Sequence, residues 1–234
     1  MSIETFRKEN LDAVLRELAK EYKKRGGKAM PAEIILIGGA AVLESYGFRE
    51  MTADIDAVIE AASVMKEAAN AVGDRLHLPN GWLNDDFKKT DSYSERLAEV
   101  SVFCRCYAGV LNVRTVSAEY LVAMKLKAGR EYKNDLSDVV GILAEHKKKG
   151  NALTYAQIDA AMNKLYGGWE AIPAESTAFL QKLLEGGEYE SLYEQVRKGE
   201  KEAGERLLAF ENDYPGVLAT ESAESILRML KEKE

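Results

Sequence analysis

Asp54-Ile55-Asp56 puts two carboxylates one residue apart in a stretch that reads as a β-strand over residues 53–59. In a strand, residues i and i+2 point to the same face, so Asp54 and Asp56 are expected to project together while Ile55 turns into the core. Two carboxylates side by side repel each other unless a cation sits between them. Such a pair suits a divalent ion, Mg²⁺ or Mn²⁺, of the kind that assists phosphoryl or nucleotidyl transfer. The plainer reading is a solvated strand end, against which the apolar flanks Met51 and Val58-Ile59 speak.

Other residues could join this chemistry. Gly38-Gly39 follows the apolar run 34–37 and precedes a short helix. Glycines let a backbone approach a ligand closely, and amides at a helix N-terminus favour phosphate; a simple tight turn is the alternative. Lys125 falls inside the stripe formed by Leu121, Met124 and Ala128 on a helix expected over 118–130. A lysine there either snorkels to water or meets an anion such as a nucleotide phosphate, whereas Lys127 and Arg130 lie off the stripe and read as surface charges. Asp135 and Asp138 open the next helix, where carboxylates also complement the dipole. By helical angle Asp135 borders the apolar face and Asp138 is turned further toward solvent. Arg49 and Thr52 lie just before the acid pair, and Arg49 is placed either to pair with Asp54 or Asp56 or to reach a phosphate.

The elements that would position these groups follow from periodicity. Leu11, Val14, Leu15, Leu18 and Tyr22 form one stripe of a helix over 3–24 that Gly26-Gly27 ends. A buried strand over 33–37, a helix over 40–46, the acid-bearing strand and an Ala-rich helix over 61–72 come next. Residues 77–96 read as a long loop or irregular insertion, and loops of that length are either functional or mobile. Two apolar stretches, 98–106 and 110–116, form a hairpin about Ala108-Gly109. Ser117 caps the helix carrying Lys125, and another helix spans 135–148. Residues 1–150 thus read as one α/β domain, with a small mixed sheet flanked by helices. Residues 151–234 read as a charged helical appendage, without a catalytic constellation, that packs on the core or on a partner protein.

Bulk properties exclude several classes. The net charge of −7 opposes a broad nucleic-acid-binding surface, although a local basic pocket stays open. No run is apolar for long enough to span a membrane, and the polar first ten residues lack a signal peptide's apolar region, so a cytoplasmic location is expected. Cys104 and Cys106 are expected to be reduced, buried thiols on one strand face. His77 and His146 stand apart from any ligand-spaced neighbour, so zinc and Ser-His-Asp or Cys-His chemistry lack support.

With Gly38-Gly39 and Asp54-Ile55-Asp56 in place, the sequence resembles the polymerase-beta-like nucleotidyltransferase superfamily. The run from Arg49 to Asp56, the lysine in Leu121–Arg130 and the segment Lys133-Asn134-Asp135-Leu136-Ser137-Asp138 are similar to the branch containing AbiEii-type and MenT-like toxins. Gly81-Trp82-Leu83-Asn84-Asp85-Asp86 looks like a feature of a prokaryotic subgroup of unknown function. The resemblance covers residues 1–165. It implies that Asp54 and Asp56 bind Mg²⁺ (or Mn²⁺), that Gly38 and Gly39 face a nucleoside triphosphate and that Lys125 contacts phosphate. It also implies that Asp135 or Asp138 acts as base or organises the metal site. Asn112 is expected where many active members carry a third carboxylate. The activity so implied is transfer of a nucleoside monophosphate to a hydroxyl of RNA, protein or a small molecule, in a toxin–antitoxin or defence setting. The alternative is a catalytically silent nucleotide- or partner-binding module with Asn112 as its mark. A third reading is a chain that neutralises a neighbouring protein, a partner that would dock through the C-terminal helices.

Overall fold

The computed structural model describes residues 5–219 and 221–232. The apolar stripe near the N-terminus forms α1 (Lys8–Tyr22), with Leu11, Val14, Leu15, Leu18 and Tyr22 all buried. Residues 3 and 4 of the helix expected there lie outside the described residues. Within them, Phe6 makes an isolated antiparallel bridge to Thr52, with Phe6 N donating to Thr52 O at 2.7 Å and Thr52 N to Phe6 O at 2.9 Å. That bridge ties the segment before the acid pair to the start of the chain.

Five strands build one mixed sheet: β1 (Ala32–Leu36), β2 (Ile55–Glu60), β3 (Leu83–Asn84), β4 (Ser101–Tyr107) and β5 (Leu111–Val116). Their order is β3-β2-β1-β5-β4. β1 is antiparallel to β2 and parallel to β5, which forms the hairpin with β4. The hairpin turn uses Ala108 and Gly109, both at positive φ. β2 begins at Ile55, so Asp54 occupies the bend before the strand rather than the strand itself. The glycine pair lies inside the first turn of α2 (Gly38–Ser45). The Ala-rich segment forms α3 (Val64–Leu76), starting three residues later than periodicity suggests.

The 77–96 segment is less irregular than expected. It adds β3 beside β2 in parallel register, Ile55 with Leu83 and Asp56 with Asn84. Trp82 anchors it, buried, with its indole N–H donating to Ala69 O at 3.1 Å. A 3₁₀ turn (Asp86–Lys89) and a short helix α4 (Leu97–Val100) complete the passage to β4. Cys104 is half-buried and Cys106 exposed, because β4 is an edge strand whose middle residues are largely uncovered.

Two helices follow the sheet, α5 (Ala118–Ala128) and α6 (Asp135–Lys148). Gly129, in the left-handed region at φ +51, ends α5 and turns the chain. Then come α7 (Tyr155–Tyr166), α8 (Ala174–Gly186), α9 (Tyr189–Asp213) and α10 (Ala223–Lys231). Thr154 and Gln157 form a capping box at the start of α7. α7 packs on α5 through Ile158, Ala161 and Met162, which belong to the same continuous core as the sheet. α9 lies along α6, and α10 meets α9 in a small separate cluster of Ala203, Leu207, Ile226 and Leu227.

Candidate active site

The end of β1, the bend before β2 and the starts of α2 and α6 meet at a cavity of about 750 Å³. Gly38, Gly39, Arg49, Thr52, Asp54, Asp56, Lys125 and Asp135 all line it. Ile37 N donates to Asp56 O at 3.1 Å, which fixes the acid pair against the turn into α2. Gly38 has φ +56, and a Cβ there would stand 3.2 Å from Asp56 Oδ2. A Cβ on Gly39 would collide with Thr52 Oγ1 at 2.4 Å and with the Arg49 guanidinium at 2.8 Å. The double glycine is therefore required by close packing behind the acid pair, not only by the turn.

Asp54 and Asp56 are both half-buried. Burial, reinforced by the Asp54 charge, pushes the Asp56 carboxyl above the usual carboxylate range. The polar Asn84 side chain and the more distant charges of Arg130 and Lys125 pull it back in part. Among the described residues, no lysine or arginine forms an ion pair with either acid. Arg49, the candidate for such a pairing, instead directs Nη1 to Asp138 Oδ2 at 2.5 Å and Nε to Met51 O at 3.1 Å.

Lys125 does not snorkel. It is 7% exposed, and its Nζ lies 2.9 Å from Asp135 Oδ1 and 2.8 Å from Asp138 Oδ2. Arg130 Nε reaches Asp135 Oδ2 at 2.8 Å. The result is a chain of charges, Arg49–Asp138–Lys125–Asp135–Arg130, with three cations on two carboxylates. Burial alone would raise Asp135, but Lys125 and Arg130 outweigh it and hold the carboxyl at about 2. The two carboxylates outweigh burial in the same way and keep Lys125 charged.

Two expectations are corrected here. Asp138 is 2% exposed rather than turned to solvent, because α9 covers the side of α6 that periodicity assigns to water. Arg130 is not a free surface charge; it lines the cavity and is fixed by Asp135.

Asn112 does not stand where a third acid would. β5 runs parallel to β1 with Asn112 level with Glu33, at the end of β1 remote from Gly38. Continuing the register, in which Ile35 faces Arg114, brings Val116 level with Ile37 and hence with Asp56. Val116 is buried and apolar.

Several cavity residues gave little sequence signal. Asn84 reaches Asp56 only because β3 pairs with β2. Phe87, Thr90, Asp91 and Ser92 form a wall from the insertion, and Glu224 contributes from α10.

A family model described as a nucleotidyltransferase of unknown function (DUF6036) matches residues 13–146. The chain belongs to this nucleotidyltransferase family. No curated protein and no solved structure matches the chain. The nucleotidyltransferase match spans the sheet, the acid pair and the Lys125 network, and it stops within α6. Among the described residues, no helix is long and apolar enough to cross a membrane.

Proposed function

We propose that the cavity binds a nucleoside triphosphate with Mg²⁺ (or Mn²⁺) and transfers its nucleoside monophosphate to an acceptor hydroxyl. The observation that carries this reading is an acid pair that has no ion-paired cation among the described residues, near a buried network with one positive charge in excess. Polyanionic phosphates suit the second wall, and a divalent ion suits the first. Among the described residues no group of three or more His, Cys, Asp or Glu is arranged to hold a metal alone. That fits Mg²⁺, which is commonly held by one or two carboxylates with the rest of its shell from phosphate and water. When bound, the ion would neutralise charge developing on the triphosphate.

In this scheme Asp54 and Asp56 hold the ion, and the α2 amides behind Gly38 and Gly39 face phosphate oxygens. Thr52 and Arg49 brace the glycine turn. Lys125 and Arg130 add positive charge where phosphate oxygens become more negative. Asp135 and Asp138 keep those cations pointed; Asp135, its carboxyl held at about 2, is poorly suited to take a proton. The acceptor hydroxyl oxygen attacks the α-phosphorus, the bond to the α–β bridging oxygen breaks, pyrophosphate leaves and the hydroxyl proton passes to solvent. The volume suits one nucleotide. The acceptor class stays open among RNA, protein and small molecules. The motif likeness to AbiEii-type and MenT-like toxins supports a toxin–antitoxin or defence role.

Val116 favours a second reading, a catalytically silent nucleotide-binding protein, since β5 offers no carboxylate at the position level with Asp56 across β1. Calorimetry with each of the four triphosphates and Mg²⁺, followed by incubation with α-labelled triphosphate and cell extract, separates the two. Label transferred to an acceptor, and lost in Asp54→Ala, supports the enzyme. Binding without transfer supports the silent module, and no binding to any triphosphate removes both.

A further inference from the structure

The first turn of α6 presents both carboxylates of the charge network, yet it lacks a cap of its own. Asn134 at the N-cap position makes no side-chain hydrogen bond to the turn. Helix-start amides need acceptors, and an uncapped first turn frays. The acceptor comes from α9. Glu200 Oε1 accepts from Leu136 N at 2.8 Å and from Ser137 N at 3.3 Å. The carboxylate is 5% exposed, in a helix that lies outside the matched family region. The backbones approach closely here: a Cβ on Gly204 would stand 3.4 Å from the Tyr132 carbonyl, in the loop leading to α6. Glu200 Oε2 and Ser137 Oγ are buried without hydrogen-bond partners, so this carboxylate is held in place at some cost.

We infer that Glu200 is a positioning residue for the nucleotide site, capping α6 from a remote helix and thereby fixing where Asp135 and Asp138 hold Lys125, Arg49 and Arg130. This rests on the nucleotide reading above. Its geometric logic is short. Leu136 and Ser137 lie between the two network acids, so a loosened first turn moves both at once. The C-terminal helices then belong to the working site rather than standing beside it.

The test uses the full chain with Glu200→Gln and Glu200→Ala. Glutamine keeps a carbonyl oxygen for both amides; alanine removes the acceptor. Amide hydrogen exchange at Leu136 and Ser137 is read without nucleotide, and affinity for MgATP, MgGTP, MgCTP and MgUTP is read by calorimetry. Glu200→Ala is expected to speed exchange at these two amides roughly 5- to 10-fold and to weaken triphosphate binding by a similar factor. Glu200→Gln is expected to stay within about 2-fold of the parent in both, a rescue that general loss of stability would not produce. If Glu200→Ala does not fold, Glu200→Asp replaces it, since its carboxylate is a methylene too short to serve both amides. Unchanged exchange and affinity in the alanine or aspartate variant overturns the inference. So does an exchange increase spread evenly over all helices. Failure of the parent chain to bind any triphosphate defeats the nucleotide reading and this assignment with it, and is distinguished from a misassigned cap because exchange is measured separately.

Discussion

Asp56 carries a conflict that its neighbours do not resolve without a cation. Its pKa is raised by burial and by Asp54, so the fold favours its protonated form. The associated stability is present below the ordinary carboxylate range and is lost as pH rises through the raised value. Asp56→Asn should therefore raise the melting temperature of the nucleotide-free protein at pH 7, with the gain disappearing near pH 3. The same substitution should weaken Mg²⁺–triphosphate binding or turnover by ~10²-fold or more, if the pair acts as proposed. Glu200 shows the same sign more strongly, its carboxyl pushed up to about 7, first by burial and also by the Asp138 charge. Tyr132 and Lys133 of the preceding loop and Arg197, Lys201 and Glu205 of its own helix share its cavity. Against an unfolded value near 4.5, that raised pKa costs roughly 3 kcal/mol above pH 7 and nothing below about pH 4. Thermal melts of Glu200→Gln should accordingly gain on the parent between pH 5 and pH 8. Lys125 stands on different ground, because its removal leaves two buried carboxylates short of a partner. Lys125→Met should cost about 3–5 kcal/mol in urea unfolding, well beyond the ~1 kcal/mol of an exposed pair.

The elements explain which of these groups could be read in advance. Asp54-Ile55-Asp56 and Gly38-Gly39 are local signals, visible because residue type and close spacing act within a few residues, although Asp54 sits in the bend before β2 and not in the strand that alternation assumed. The helix boundaries about Lys125 and Asp135 are legible for the same reason, with Ser117 and Gly129 as punctuation. Asp138 was not, because a single helix has angles but no knowledge of what covers its second face. The Arg49–Asp138 pair and the Glu200 cap join residues far apart in sequence, with no periodicity to announce them. Strand register carries the same lesson: Asn112 looks suitable by residue type, and only the pairing of β5 with β1 puts it at the wrong end. β3 is the element most open to test. Asn84→Ala removes the side-chain amide that lowers Asp56, so the acidic limb of Mg²⁺–triphosphate binding should move to higher pH, as calorimetry across pH 4–7 would show.

Across the whole molecule, the family match ends within α6, but the core does not. Ile158, Ala161, Met162, Leu180 and Leu183 are buried in the same cluster as the sheet. A chain cut after Lys149 would expose the face of α5 that these residues cover and the face of α6 that α9 covers. It is expected to aggregate or to melt without a cooperative transition, read by size-exclusion chromatography and circular dichroism. The fold class was accessible from the order of motifs, whereas the share of the core supplied by the tail was hidden by its high charge. One further consequence concerns time. A ribosome delivers the acids, the glycine bend and the lysine first, and the remote α6 cap only when residue 200 has emerged. A nascent chain not yet grown to residue 200 thus holds every group of the proposed site while the turn that aims them is still loose, so that site is completed only when α9 arrives.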